Sequence, residues 1–595
     1  MGYIYYILLA STSKWLDLSL GVFYAVYLGL LACLLLLGLK FRRSAAVQTV
    51  DLYWLSGLLL VAFSYLLYRY LVGPYAEIPG DVYRHMEYAR IEYDAILGGH
   101  LGKEMDLLSL IKQKGGIWYS FFALLSYLSG HEFSITLPWA MLANSLIFLC
   151  VVYSFAWIIF AIYPMSRTAR AGTALLATFF LASHMGLNVF SYLRYYSMAP
   201  TMLNMVIYFA SIVAILELLK WQSMNTSYAL FIVLALLASM VVHNQETLFI
   251  LLIGGMMLGW FALCPEGLKA TGANEPGVSR RVFYVVVLAL FLLGFVGLQI
   301  WAYTHESRPD QLFGKVLQLS EQGPIFNRVL YLAPGYQVIQ VITLWGLAVY
   351  ALFVLYWRRF IRHPYLFTGM LLPLVTVFNP LFVDWFLRMD GVHTLWRMLY
   401  IVPIHFVAAL CVVFLLERLK RSVSIVAKLG PVIAISALFL LLLPLNGLNP
   451  NSRLTLGPTQ VDESYAHWQD LIDFLNQNEI NKTRILTDPV TGYVLNGLTK
   501  HRTYQYKFFP RRMKEFNLED YSGAPLKQYK GWLLVINDRD GGFSETGALS
   551  RHWDAQVLNT SDFYTDALRA RIQNNPEQRF ELIWDQNKIR VYRLH

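Results

Sequence analysis

LYWLSGLLLVAFSYLLYRYLVG, residues 52–73, is followed almost at once by PGDVYRHMEYAR, residues 79–90. The first stretch has one arginine and no acid, and as a helix it is long enough to cross about 30 Å of hydrocarbon. The second places Asp81, Arg84, His85 and Glu87 at the mouth of that helix. Charges set beside a bilayer are costly and ask for a reason. The reading of the whole chain turns on which side this mouth faces and on what else faces it.

The 595 residues are 57% hydrophobic and 14% charged, where a soluble chain is about a quarter charged. The apolar residues come in long runs, so the expected fold class is an α-helical polytopic membrane protein with about twelve transmembrane helices. The runs are 18–39, 52–73, 139–163, 173–190, 200–219, 228–243, 247–264, 283–303, 337–357, 365–383, 398–416 and 430–446. The net charge of +10 does not point to nucleic acid, because the basic residues lie in short clusters between apolar runs. KFRR (40–43), Arg167 with Arg170, Lys220, Lys269 with Arg280 and Arg281, RRFIR (358–362) and ERLKR (417–421) fall on every second loop. That side reads as cytoplasmic, and the loop 74–138, the turns near 195, 245 and 390, and everything after 446 then face outward. Cys33, Cys150, Cys264 and Cys411 lie in or beside apolar runs and imply no disulfide framework. The first apolar run reads as a retained anchor rather than a cleaved signal peptide, and residues 1–15 are expected along the outer interface.

The outer loop holds two helical stretches, EYARIEYDAILGGHL (87–101) and IWYSFFALLSYLSG (117–130), the second expected to lie flat at the interface or dip into it. The division expected is a transmembrane domain over 1–450 and a small extracytoplasmic α/β domain over 451–595. In the tail a helical stretch, AHWQDLIDFLNQ, alternates with β-like runs, TRILTDP, GWLLVIND, FELIWD and IRVYRL. An aromatic stretch, YQYKFFPRRM (504–513), reads as strand and basic turn or as a place for a glycan.

Polar groups gather on the outward turns. YLRYYSMAP contributes Arg194, Tyr195 and Tyr196; VVHNQETLF contributes His243, Asn244, Gln245 and Glu246; FVDWFLRMDGVHTLWRMLYIVP contributes Asp384, Arg388, Asp390, His393, Trp396 and Arg397. Singly, each has a plain explanation: Asp81 as a helix cap, the tyrosines as interface aromatics, the arginines snorkelling, Glu246 paired with an arginine. Together they fit an outward cavity lined by acids, cations and rings, which suits a sugar carried on a lipid phosphate. Arg194, Arg388, His393 and Arg397 would hold the phosphate. A carboxylate such as Asp81 would take the proton of an acceptor hydroxyl, beside Arg84, His85 and Glu87. Tyr195, Tyr196, Trp396, Asn244 and Gln245, with His243 and Glu246, would contact sugar. One base and a phosphate leaving group give inversion. No P-loop and no Rossmann glycine fingerprint is present.

PGDVYRHMEYAR and GVHTLWRMLYIVP (391–403), and more loosely YLRYYSMAP and HNQE, resemble the GT-C superfamily of membrane glycosyltransferases, which includes protein O-mannosyltransferases, aminoarabinose transferases of lipid A and mycobacterial arabinofuranosyltransferases. The resemblance spans nearly the whole chain and implies a GT-C-like fold with Asp81 as the acid of the first outer loop. It implies a polyprenyl-phosphate-linked sugar donor, and a glycan, lipid-linked glycan or protein acceptor. The setting it implies is a bacterial inner membrane, with the tail in the periplasm. Two departures stand out. The family often carries an acidic pair in this loop, whereas Val82 follows Asp81 and the next acid is Glu87; one more helix precedes the loop here. No metal is assigned, and a divalent cation shared by Asp81 and Glu87 stays an open alternative. A transporter or flippase of lipid-linked glycans, an O-antigen-type polymerase or ligase, and a membrane-anchored sensor are the competing readings.

Overall fold

A computed structural model describes residues 2–29, 32, 51–72, 80–101, 116–130, 133–185, 200–220, 226–263, 335–377, 379, 382, 386, 395–421, 424–440, 463–477, 479–503, 529–538, 564, 566–575 and 578–595. The chain is mostly helical with a small sheet near its C-terminal end. Apolar runs become helices because a helix satisfies every backbone hydrogen bond internally. Ten of the expected runs overlap the helices Leu52–Val72, Phe133–Ile159, Arg167–His184, Pro200–Lys220, Thr226–Val242, Asn244–Leu263, Gly335–Leu355, Pro364–Val375, Ile404–Arg421 and Ile425–Leu440. The run 18–39 is helical over Leu20–Gly29, and 283–303 lies outside the described residues. Among the described residues, three segments are long and apolar enough to cross a membrane: Leu142–Ile162, Thr201–Leu219 and Arg397–Arg421.

Three local features depart from the plain spans. The 337–357 run is kinked at Thr343, whose φ of 65° is unusual for a β-branched residue. The 398–416 run opens as a 3-10 turn, Leu395–Ile401, before Pro403 lets the α-helix begin at Ile404. HNQE is not a four-residue turn: one helix ends at Val242 and the next starts at Asn244, with His243 as the joint.

Helix ends segregate by chemistry. Those flanked by basic clusters meet one another: Arg359 pairs with Glu417 at 2.9 Å, and Arg167 lies 3.7 Å from Asp51. The opposite ends meet through amides, histidine, acids and Arg397, as described below. Residues 2–15, expected along the outer interface, form a helix, Gly2–Trp15. Lys14 at its end is buried against Glu92 at 2.6 Å, and Ser120 donates to the same Glu92 oxygen at 2.8 Å. The 117–130 stretch, expected to lie at the interface, packs as the helix Gly116–Ser129 against Gly80–Leu97, with Trp118 and Phe122 buried.

In the tail, β1 (Arg484–Leu486), β2 (Arg502–Thr503), β3 (Leu533–Asn537), β4 (Phe580–Gln586) and β5 (Ile589–Leu594) form one sheet in the order β2-β1-β3-β5-β4. β1 runs parallel to β2 and β3; β5 is antiparallel to β3 and β4. The β4–β5 hairpin closes through Asn587 and Lys588, both at positive φ, the requirement of a type I′ turn. Alternation along the buried β3 decides its two faces. Leu533 and Val535 pack with the helices Glu463–Asn476 and Pro489–Leu498, on a core continuous with the helical bundle. Leu534 and Ile536 pack with Tyr564 and Leu568 on the other face. Asp488 caps Pro489–Leu498, accepting from the Thr491 backbone N–H at 2.9 Å.

Candidate functional site

The joint at His243 brings together residues far apart in sequence. Asn204 sits one turn into its helix, where its amide nitrogen lies 3.0 Å from Ser239 Oγ, 2.9 Å from the His243 carbonyl and 3.1 Å from Glu246 Oε2. His243 Nδ1 is 2.7 Å from the same Glu246 oxygen. Glu246 is completely buried in the first turn of Asn244–Leu263, where the helix dipole favours a carboxylate. The His–Glu contact places the proton on Nδ1 and leaves Nε2 as the ring's second polar atom, on a side chain 11% exposed. Arg397 reaches this knot from the 3-10 turn, donating through Nη1 to Gln245 Oε1 at 3.0 Å. Glu246 Oε1, Gln245 Nε2 and Asn204 Oδ1 are buried with no hydrogen-bond partner among the described residues. Orphaned polar atoms at such depth are costly and mark a place that a polar ligand group would satisfy.

His243, Gln245, Glu246 and Arg397 are therefore brought together. Glu246 pairs with His243 and Asn204, not with an arginine among the described residues. Asn244 lies in the first turn of its helix and Trp396 in the 3-10 turn. Arg194, Tyr195, Tyr196, Arg388 and His393, with Asp384 and Asp390, lie outside the described residues, as does YQYKFFPRRM.

Asp81, Arg84 and His85 occupy the first turns of the helix Gly80–Leu97. At about 100° per residue, positions 81 and 87 diverge by about 120° around it. The helix alone therefore does not present Asp81 and Glu87 to one cation. Positions 81, 85, 88 and 92 fall instead on one stripe, where Tyr88 contacts the Tyr119 ring and Glu92 meets Lys14. Glu87 lies on another stripe, with Arg90, Ile91 and Asp94, which faces the tail. Among the described residues no group of three or more His, Cys, Asp or Glu is placed to hold a metal.

The second stripe is locked to the tail. Arg90, buried, donates through Nε to the Thr499 carbonyl at 3.2 Å, and Lys482 reaches Asp94 at 2.6 Å. His501 is also buried; its Nδ1 accepts from the Thr483 N–H at 3.1 Å and its Nε2 contacts the Leu475 carbonyl at 2.8 Å. Burial lowers its pKa from the usual 6.5, so it is a neutral joint with both nitrogens engaged.

Sequence reading missed Asn204, Arg90, Glu92 and Lys14. Asn204 had a signal, an amide inside the apolar run PTMLNMVIYF. Lys14 and Glu92 had none, since their meaning comes from a partner distant in sequence. No protein-family model matches the chain, and a search of curated proteins returns no match. Among solved structures, the Archaeoglobus fulgidus oligosaccharyltransferase, crystallised in complex with Zn and sulfate, aligns with a TM-score of 0.44 and 10% identity over 85% of this chain and 71% of that one.

Proposed function

We propose that this protein is a membrane glycosyltransferase of about twelve spans that moves a sugar, with inversion, from a polyprenyl-phosphate donor to a glycan, lipid-linked glycan or protein acceptor at the outer face of a bacterial inner membrane. The observation that carries the reading is the buried knot itself: Arg397, Gln245, Glu246, His243 and Asn204 from three separate parts of the chain, with polar atoms left unsatisfied among the described residues. A site of that kind, at helix ends opposite the basic clusters, suits a headgroup that is both charged and rich in hydroxyls.

In this reading the lipid lies along the apolar helices and the phosphate meets Arg397, with Arg194, Arg388 and His393 as further cations. Their positive charge offsets the charge that grows on the leaving phosphate. His243 and Gln245 hydrogen-bond the sugar, Glu246 fixes the His243 tautomer, and Asn244, Tyr195, Tyr196 and Trp396 complete the contacts. Asp81, flanked by Arg84, His85 and Glu87, takes the acceptor proton as the hydroxyl attacks the anomeric carbon. Phosphate leaves from the opposite face, which inverts the centre.

The test is transfer from radiolabelled polyprenyl-phosphate sugars in membranes carrying Asp81→Asn. Loss of turnover with donor binding retained is expected; unchanged turnover overturns the assignment of the base.

A further inference from the structure

The stripe that faces the tail is gripped by one short stretch of it. Arg90 donates to the Thr499 carbonyl at 3.2 Å, and Lys482 and Arg502 lie 2.6 Å and 3.7 Å from Asp94. All three grips flank a single clasp. His501, 1% exposed, accepts the Thr483 N–H on Nδ1 at 3.1 Å, and its Nε2 lies 2.8 Å from the Leu475 carbonyl. Because Nδ1 accepts, the ring proton is on Nε2, which donates. One side chain thus ties the entry to β1, the entry to β2 and the end of Glu463–Asn476. The Arg502 N–H donates to the Thr483 carbonyl at 3.2 Å beside it.

A second ring proton has no place here. On Nδ1 it would stand donor to donor against the Thr483 N–H. The charges around the ring are also unfavourable. Gly80–Leu97 presents Glu87, Arg90 and Asp94, the turn before β1 presents Lys482, and Lys500 and Arg502 flank the histidine. Of the two acids, Asp94 is already held by Lys482. Asp473, near the end of Glu463–Asn476, is bound by Gln469 at 2.8 Å, and Arg484 of β1 lies over the Trp532 ring. Pro489–Leu498 has neither acid nor amine. His501 lines a cleft of about 300 Å³ between Gly80–Leu97 and this stretch, with Arg502, 57% exposed, among its walls, so protons have a route to it.

We propose that His501 is an acid-opened latch: protonation of its ring releases residues 482–503 from Gly80–Leu97, and with them the support of the helix whose first turn holds Asp81. Opening frees an ordinary imidazole, which protonates near 6.5, whereas burial lowers that value in the closed form. The latch is therefore fully closed above 6.5. Each pH unit below it favours opening by up to about tenfold, until the closed form's own value is reached.

Purified full-length protein in detergent is followed by hydrogen exchange from about pH 7.5 to about pH 4.5, as protection factors. Protection over Gly80–Leu97 and over 480–503 is expected to fall together below 6.5, by up to about tenfold per pH unit. Arg167–His184, packed on Phe133–Ile159 and Ile404–Arg421, should keep its protection. His501→Gln should abolish the fall in both segments. Lys500→Gln, which removes a cation beside the ring, should make the fall level off at a higher pH, and it decides the matter where His501→Gln does not fold. Loss over 480–503 with Gly80–Leu97 unchanged, equal loss over Arg167–His184, a fall that persists in His501→Gln, or an unmoved plateau in Lys500→Gln would overturn the proposal. The latch does not depend on the transferase reading. Its consequence, sugar transfer that slows over the same pH range, rests on that reading, and a latch that opens in a protein transferring no sugar would remove the transferase reading alone.

Discussion

Glu246 constrains the site more than any other residue described. A carboxylate with no solvent contact is tolerated because Asn204 and His243 both reach one of its oxygens. Asn204→Ala removes one of these and leaves the Ser239 and His243 acceptors without their shared donor. We expect a loss of about 1–3 kcal/mol, seen as a lower thermal unfolding midpoint in detergent, with donor affinity falling too. Asn204→Asp should be worse, since it sets a second acid against Glu246. The Lys14–Glu92 pair makes a different case. Lys14→Met strands a buried carboxylate at a cost of about 3–5 kcal/mol, while Lys14→Met with Glu92→Leu recovers most of it; equal stability of the two variants would mean that the pair is solvated. At this scale the sequence showed that polar residues gather at the turns between apolar runs, but not that Glu246 is completely buried. Burial of Glu246 follows from three helices closing over a one-residue joint, and no local pattern encodes that closure.

Among elements, Gly80–Leu97 is the strut of the proposed site. One stripe faces Lys14 and Tyr119, another faces the tail, and Asp81 stands in its first turn. The helix itself was legible from EYARIEYDAILGGHL, and the division of its faces was readable in principle from the spacing of Glu87, Arg90, Ile91 and Asp94. What each stripe meets was not, because Thr499 and Lys482 lie some four hundred positions on. Four of the five described strands were clear for the opposite reason: RIL, LLVIN, FELIWDQ and IRVYRL carry β-branched and aromatic residues between turn signals, whereas the two-residue β2 was not read. Two predictions belong here. A Cβ at Gly369 would stand 2.6 Å from Pro403 Cδ and 2.8 Å from its Cγ. Pro403 follows the turn that carries Arg397 and has a ring fixed to its backbone, so Gly369→Ala should cost about 1–3 kcal/mol and weaken donor binding. His501 supplies a pH dependence. Its pKa is lower in the folded protein than the usual 6.5, so its contribution to stability is complete above that value and is lost as pH falls through the folded-state value. Protection factors for hydrogen exchange at 480–503, which remove the intrinsic pH dependence of exchange, should fall as pH drops below 6.5. His501→Gln should lose this acid sensitivity while starting from a less stable unit at neutral pH.

For the whole molecule, the ordering principle is the separation of two kinds of helix end. Basic clusters recur on alternate loops, and the ends that bear them touch, as Arg359 with Glu417 and Asp51 with Arg167. The Asn204–Glu246–Arg397 knot and the Asp94–Lys482 link belong to the other set. The alternation was the most legible feature of the chain, because charge asymmetry across loops acts during insertion and leaves its record in composition. Reporter fusions at positions 100, 270 and 500 should therefore read outside, inside and outside; a cytoplasmic 500 would separate the tail from the outer helix that it grips. The most direct measurement is transfer by the purified protein in detergent, from a polyprenyl-phosphate sugar, with the product's anomeric configuration read by NMR. The account predicts product without any sealed compartment, with the anomeric centre inverted relative to the donor. Donor movement that requires intact vesicles and yields no new glycosidic bond would contradict it.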